Sequence, residues 1–585
     1  MTEKHNKEAD DMHKESLLEP FESEDTIPSD EAQHPKPEAV PPLPHHGKFA
    51  GFWIGFWRQK KWTLPLSIIT LLAILLAIPA TRYPLLAIGI KKTYTITITD
   101  STTHTAVSGA RVMLDGRTAS TDNKGRVSIK ASVGDHTVAI TKKYYKSYER
   151  HIFVGLSGSH QQKIALVASG RQVPLTIINR ITKKPVENAE ITVLDTTAKT
   201  DSNGKAVIVL PTLAPTQKAT ITASGYNDTT ANLRVTSDVT DANTIALTPS
   251  GRVYFLSNLS GTMDVVSTRY DGSDRKVVLA GTGKEDATST VLRASNDWHY
   301  LVLLSKRDGG QYSKLFLIDT TTDKLTTIDE GEASFTMVGW AGDRFVYTVS
   351  RDTYKEWQPK RNALKSYDVP SKKITTLDET AADGSSASLY AAESISPSVQ
   401  ISGNSIVYAF VWHPGYYTGL LNGKSDTIRQ INADGSGKKT LKDFGRSSTA
   451  SYAYVNMYTY RPGLIRISIE STSSSAYTYQ IGGSVKDAPD LKNNFYADAH
   501  PYQTSPAGDK TFWAEARDGK QTLFVGDAKA ENGKQIATLT EYYAYGWAND
   551  KYLLVSKNNT DLYILPVSGG DALKVADMYP APTVY

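Results

Sequence analysis

Ser295-Asn296-Asp297-Trp298-His299-Tyr300-Leu301-Val302-Leu303-Leu304-Ser305 reads as a polar turn that passes at once into an apolar strand. The same arrangement returns as Ser505-Pro506-Ala507-Gly508-Asp509-Lys510-Thr511-Phe512-Trp513-Ala514-Glu515, and the strand alone as Arg252-Val253-Tyr254-Phe255-Leu256-Ser257-Asn258. Weaker copies begin at Gly339-Trp340-Ala341-Gly342-Asp343, Ile401-Ser402-Gly403-Asn404 and Gly546-Trp547-Ala548-Asn549-Asp550. Short side chains that bond their own backbone, and glycines that tolerate positive φ, make such turns. Between them the strands are rich in Val, Leu, Tyr and Phe. All-β blocks of roughly 40 to 55 residues, repeated from Ser250 to the end, indicate propeller blades, because one blade buries both faces only by packing on its neighbours around a ring. The span 250–585 accommodates about seven. Thr449 to Asp490 departs from the pattern and is expected to hold an irregular blade.

The strand endings Ser257-Asn258-Leu259-Ser260-Gly261, Ser305-Lys306-Arg307-Asp308-Gly309 and Ala516-Arg517-Asp518-Gly519 complete a repeat that resembles the WD40-like repeats of TolB and of dipeptidyl-peptidase-IV-type propellers. The resemblance extends over some 335 residues. Propellers of this kind serve hydrolases, lyases and pure binding scaffolds, so the resemblance implies a fold and not an activity.

Upstream, segments 93–168 and 172–248 alternate apolar and polar residues, as in Thr93-Tyr94-Thr95-Ile96-Thr97-Ile98-Thr99, which predicts half-buried strands. Each repeats the other: Val107-Ser108-Gly109-Ala110 matches Val186-Glu187-Asn188-Ala189, Thr121-Asp122-Asn123-Lys124-Gly125 matches Thr200-Asp201-Ser202-Asn203-Gly204, and Lys143-Tyr144 matches Gly225-Tyr226. This spacing resembles the carboxypeptidase regulatory-like and PEGA-like families, implying two small non-catalytic Ig-like β-sandwiches that act as spacers. Asp122 to Gly125 and Asp201 to Gly204 lack the terminal bidentate acid of a calcium loop and read as hairpin turns.

The N-terminal region has a different character. Residues 1–44 carry twelve Asp or Glu against four Lys with a Pro-rich end, so 1–47 is expected to be a disordered cytoplasmic tail. Phe49, Phe52, Trp53, Phe56 and Trp57 recur at helical spacing beside Arg58, Lys60, Lys61 and Trp62, a pattern suited to a membrane interface over 48–61, as an interfacial helix or as an aromatic belt. From Leu64 to Ala80 only Ser67 and Thr70 interrupt an apolar run, which predicts one transmembrane helix over 62–82 followed by a linker at 83–92. Four Lys or Arg before the span against three after it favour a cytoplasmic N-terminus. The chain beyond Lys61 carries 57 basic and 49 acidic residues and is expected to prefer anionic partners.

With no cysteine in 585 residues, disulfides, thiolate nucleophiles and Cys-ligated metals are excluded. A propeller-linked peptidase needs a Gly-x-Ser-x-Gly elbow, and none occurs in these 585 residues, so this class of enzyme is not expected. Gly419 to Ser425 has the wrong glycine spacing for a phosphate loop. His413 and His500 are isolated from other ligand-type residues, so no metal, cofactor or catalytic residue is nominated, and nucleic acid is not expected as a partner. Tyr452, Tyr454, Tyr458 and Tyr460, followed by Arg461, are nominated as a binding face; the competing reading is that tyrosines at period two fill one face of a strand. The expected function is that of a non-catalytic, single-pass, membrane-anchored extracytoplasmic protein whose propeller recognises a protein or anionic envelope polymer. The alternative is a lyase or hydrolase with its site in the propeller channel, for which a ring of Asp, Glu or His around the axis would be the mark, as an apolar or Tyr-lined channel would be for binding.

Overall fold

The computed structural model describes residues 60–211, 215–235, 242–352, 359–380, 392–413, 425–445, 454–470, 474–492, 495, 502–517, 520–539, 542–558 and 560–579. Phe49, Phe52, Trp53, Phe56, Trp57 and Arg58 lie outside them, and so do Tyr452 and His500.

The apolar N-terminal run forms two helices, α1 (Lys60–Ala77) and α2 (Pro79–Ala87). Lys60, Lys61 and Trp62 fall in the first turn of α1. The single uninterrupted helix expected over 62–82 is therefore corrected: no single helix among the described residues is long and apolar enough to cross a membrane, and Leu64–Ala77 with Ala80–Ala87 makes a pair bent by 108°. Pro79 causes the break. It brings no N–H to the carbonyl of Leu75, and the Thr81 hydroxyl donates to that carbonyl instead, at 2.5 Å. On α1, Leu64, Leu66, Ile68, Ile69, Leu71, Leu72 and Ile74 are 49 to 63% exposed, and at 100° per residue they cover every side of the helix.

The remainder of the chain is nearly all antiparallel sheet. Lys91–Asp100 pairs antiparallel with Arg126–Ser132 and parallel with Gln161–Leu166. A second sheet orders Arg117–Ser120, Arg111–Leu114, Gly134–Thr141 and Tyr148–Val154 side by side. Ile96, Ile98, Val112, Leu114, Ile129 and Ile140 of the two sheets share one core, as the period-two pattern requires. Strands from Arg171–Asn179 to Asn243–Leu247 repeat this order strand for strand around Leu175, Ile177, Ile191, Val193, Ile208 and Ile221. The two Thr-Asp turns are Asx turns. Asp122 Oδ1 accepts the N–H groups of Lys124 and Arg126 at 2.9 and 2.8 Å, Asp201 Oδ1 those of Asn203 and Lys205 at 2.8 Å each. Gly125 and Gly204 sit at φ +68° and +70°, where a Cβ would collide with the carbonyls of Ile98 and Ile177.

The two-sheet modules are riveted in series by a duplicated device. Asp100, at the end of its strand and fully buried, accepts the N–H groups of Thr102 and Thr103 with one oxygen and the side-chain amide of Gln172, in the second module, with the other, at 2.7 Å. Asn179 holds the same place in the second module: its oxygen accepts from Ile181 and Thr182, and its NH2 reaches onward to Tyr552.

Seven consecutive antiparallel sheets follow, which we number blades 1 to 7: 252–279, 291–329, 334–379, 392–443, 454–487, 503–539 and 542–577. This is a β-propeller of sequential blades. Each apolar interblade layer joins neighbours; Val302, Leu315 and Leu317 of blade 2, for example, pack on Phe335, Phe345 and Tyr347 of blade 3. Blade 1 has three strands, and blades 2 to 7 have at least four. The stretch expected to be irregular forms a regular four-stranded blade 5, whose Val455, Met457, Ile465, Ile467 and Ile469 alternate into the core. Its first turn is Arg461-Pro462-Gly463, with Gly463 at φ +78°, where blades 2, 3, 4, 6 and 7 turn through an Asp or Asn.

Candidate functional site: the propeller channel

The first strand of each of blades 2 to 7 lines a cavity of about 670 Å³ at the centre of the ring. Two local patterns alternate around it. Blades 2, 4 and 6 present Arg293-Ala294-Ser295, Gln400-Ile401-Ser402 and Gln503-Thr504-Ser505, all nine residues in the wall. Blades 3 and 7 present Gly339-Trp340 and Gly546-Trp547, and blade 5 presents Thr459 and Pro462.

The long polar residue of each even blade reaches across to the next blade. Gln400 donates its NH2 to Met457 O at 3.0 Å and accepts Thr459 N–H at 2.9 Å; Gln503 donates to Tyr545 O at 3.3 Å. Arg293 does the same with a guanidinium, donating through Nη1 to Met337 O at 3.3 Å and to Val338 O. Gly546 leaves room for Gln503, whose Oε1 a Cβ there would crowd at 3.2 Å, whereas a Cβ at Gly339 would make only an ordinary contact with Arg293 Nη1 at 3.6 Å. Return bonds come from the indoles: Trp547 Nε1 donates to Gln503 O at 2.9 Å and Trp298 Nε1 to Trp547 O at 3.0 Å. Trp340 Nε1, in the position equivalent to Trp547, is buried with no acceptor among the described residues.

The serines that follow close the blade turns. Ser295 Oγ donates to Asp297 at 2.6 Å and accepts Tyr300 N–H at 3.0 Å; Ser505 Oγ repeats both contacts with Asp509 and Lys510. Burial pushes the Asp297 carboxyl up, but Ser295 and the His299 N–H outweigh it and hold the group below the ordinary carboxylate value. Asp297 and Asp509 are thus turn-forming groups. Among the described residues of the wall none is Asp, Glu or His; the polar groups are amides, hydroxyls and Arg293, and the large apolar ones are Trp298, Trp340, Trp547, Tyr502 and Tyr545. No cluster of three or more metal-ligating side chains occurs among the described residues.

The nominated tyrosines are placed elsewhere. Tyr454 is 66% exposed at the start of its strand. Tyr458 donates its hydroxyl to Phe495 O at 2.5 Å and accepts from Arg466 Nη1 at 2.9 Å, while the Arg466 guanidinium lies 3.6 Å from the Tyr460 ring centre. Tyr458 and Tyr460 therefore gather around a buried arginine, and Arg461 beside them is exposed. It is Thr459 and Pro462 of the same segment that reach the channel. The sequence reading missed Arg293, Gln400 and Gln503, although each stands two residues before a turn serine or its counterpart, a spacing visible in the repeats.

No family model matches the chain, and no curated protein matches it. Solved propellers are similar in fold at low identity. The β-propeller domain of the Trilobed protease from Pyrococcus furiosus is 11% identical over 63% of this chain and 97% of that one, with a TM-score of 0.33. An oligogalacturonate lyase in complex with manganese is 11% identical over 56% and 85%, with a TM-score of 0.31. An acylaminoacyl peptidase from Pyrococcus horikoshii is 14% identical over 56% of this chain and 51% of its own length, with a TM-score of 0.34.

Proposed function

We propose that the protein is a single-pass, membrane-anchored binding protein that displays its propeller outside the cytoplasm and recognises a protein or envelope polymer in the propeller channel without turning it over. The observation that carries this reading is the channel wall: five aromatic residues, three of them half-buried and two buried, with amides, hydroxyls, one guanidinium and no carboxylate or imidazole among its described residues. A cavity of about 670 Å³ lies within the ~300–1,000 Å³ of ordinary ligand sites. The general acids, bases and metal ligands that a lyase or hydrolase requires are not among those side chains, which gives the enzymatic alternative less support. Anchoring is supported by the aliphatic side chains exposed all around α1, which lipid would cover, and a cytoplasmic N-terminus by the four Lys and Arg that shortly precede the apolar run 64–80 against three that follow it. Asp100 and Asn179 would then join two spacers and the propeller into one unit held off the membrane surface.

The test is full-length protein in neutral detergent, incubated with labelled envelope polysaccharide fragments and with envelope protein domains. Saturable retention of a fragment whose chain length is unchanged after incubation is expected, with weaker retention by Trp340→Ala. Shortening of the fragment, or formation of an unsaturated product, would sink the reading in favour of catalysis.

A further inference from the structure

Arg293 departs from the regularity of the channel in charge. Gln400 and Gln503, at the equivalent positions of blades 4 and 6, bridge to the next blade as neutral amides. The bridge from blade 2 to blade 3 needs no more than that: a donor to the carbonyls of Met337 and Val338, which Nη1 alone supplies. Arginine brings further N–H donors and a permanent charge. No carboxylate pairs with Arg293 among the described residues, whereas eleven other described arginines and lysines of the propeller, such as Lys365 with Asp329 and Arg429 with Asp378, have such partners. Burial in the wall pushes the guanidinium pKa down, the signature of a charge that lacks a compensating anion. Trp340 Nε1 beside it also has no acceptor among the described residues, where the equivalent Trp547 Nε1 has one, but it is buried, so Arg293 is the group that offers its charge to the channel. The Arg293–Gly339–Trp340 corner therefore has more donors than acceptors, and one uncompensated positive charge.

What faces that corner decides between a peptide and a saccharide. A peptide that binds inside a propeller as an added strand needs a continuous sheet edge. Each of the six inner edges that line the cavity is short or broken: Val291–Ala294 has four residues and Gln503–Thr504 two, blade 4 splits its inner strand into Ala392–Ile395 and Gln400–Ser402, and the inner strands of blades 3, 5 and 7 are bulged at Met337/Gly339, Thr459/Arg461 and Ala544/Gly546. Trp298, Trp340 and Tyr502, the half-buried aromatic residues of the wall, are interleaved with amides and hydroxyls, a combination that suits the apolar C–H faces and the hydroxyls of sugar rings, whereas Tyr545 and Trp547 are buried.

Building on the reading of the channel as a binding site, we infer that its ligand is an acidic oligosaccharide, with a sugar carboxylate seated on the Arg293 guanidinium and the sugar rings against the channel tryptophans. Bidentate pairing of a planar guanidinium with a carboxylate supplies the orientation that Gln at the same position would not.

The experiment measures binding of short oligo-uronates, of their carboxyl-reduced counterparts of equal length, and of carboxylate-bearing peptides to the full-length protein in neutral detergent. The wild type is expected to bind oligo-uronate about 10- to 100-fold more tightly than the reduced chain, the worth of one or two charge-assisted hydrogen bonds. Arg293→Gln, which keeps the bridge to blade 3 as Gln400 and Gln503 keep theirs, is expected to lower oligo-uronate binding to the level of the reduced chain with an unchanged thermal midpoint. Arg293→Lys, which retains charge without the planar fork, is expected to fall between the two. Equal binding of oligo-uronate and reduced chain, or oligo-uronate binding that survives in Arg293→Gln, overturns the inference and leaves the channel reading standing. Peptides that bind as tightly as oligo-uronate overturn the saccharide assignment. Failure of every probe to bind overturns the channel reading itself.

Discussion

The side-chain amide of Asn179, in the second two-sheet module, donates to the hydroxyl of Tyr552, in the last blade, at 2.9 Å across 373 residues of sequence. Asn179 is 6% exposed and also donates to Tyr226 at 3.1 Å, and beside it Ile181 enters a propeller core with Val253, Phe255, Tyr270 and Tyr552. Asn179→Ala leaves the Tyr552 hydroxyl and the N–H groups of Ile181 and Thr182 without this partner, and is expected to cost about 1–3 kcal/mol. Tyr552→Phe keeps the ring and is expected to cost about 1 kcal/mol. Urea unfolding of both variants and of the double variant checks this, and strict additivity would show that the contact carries no coupling.

Tyr458 and Tyr454 separate packing from surface. Tyr458→Ala removes a ring packed edge-on against Phe495 at 5.1 Å and the acceptor of Arg466, and is expected to destabilise blade 5 by about 3 kcal/mol. Tyr454→Ala, at an exposed position, is expected to fall within about 0.5 kcal/mol of wild type. Thermal unfolding of the two variants distinguishes them.

Acid sensitivity has an identifiable source in blade 1. Asp264 is 5% exposed and accepts Gly281 N–H at 2.7 Å, Ser260 Oγ at 2.6 Å and Thr262 Oγ1 at 3.2 Å. Burial pushes its carboxyl up, but these donors outweigh burial and hold it below the ordinary value of 3.8. A depressed folded pKa contributes stability that is complete above the unfolded value and is lost as pH falls through the folded one. Stability measured from about pH 6 downward is therefore expected to drop below about pH 4, and Asp264→Asn is expected to be less stable at neutral pH and to show a shallower drop.

Tyr579, which follows the last strand, returns to blade 1. After the last strand, Tyr579 N–H donates to Leu256 O at 3.0 Å, on the strand Arg252–Ser257 that begins the three-stranded blade, and Tyr579 packs against a cluster containing Leu256, Val265, Leu292 and Leu301. Deleting residues 579–585 is expected to speed amide exchange in Arg252–Ser257 and Asp264–Arg269 while leaving the strands of blades 3 to 5 unchanged. Uniform loss of protection across all seven blades would argue against this local role.

Period-two alternation and polar turns are local properties, and they determined the all-β character, the duplicated modules and the recurring blades, because a strand with one apolar face must bury it wherever it lies. Even blade 5 was legible in the alternation of Val455, Met457, Ile465 and Ile467; only its Arg461-Pro462-Gly463 turn disguised it. Pro79 was a visible candidate for the break, since a residue without N–H removes a helical hydrogen bond, but Pro65 and Pro84 stand within α1 and α2 without a break, so the position was decided by the structure. What tertiary structure alone decided is which polar residues meet. Arg293, Gln400 and Gln503 are scattered over 210 residues of sequence, and ring closure brings them to one channel. Tyr458 and Tyr460 look like a binding face in sequence, yet Arg466 reaches them from the adjacent strand and draws them into packing. Burial and partnership are sums over contacts distant in the chain, and no local pattern encodes them.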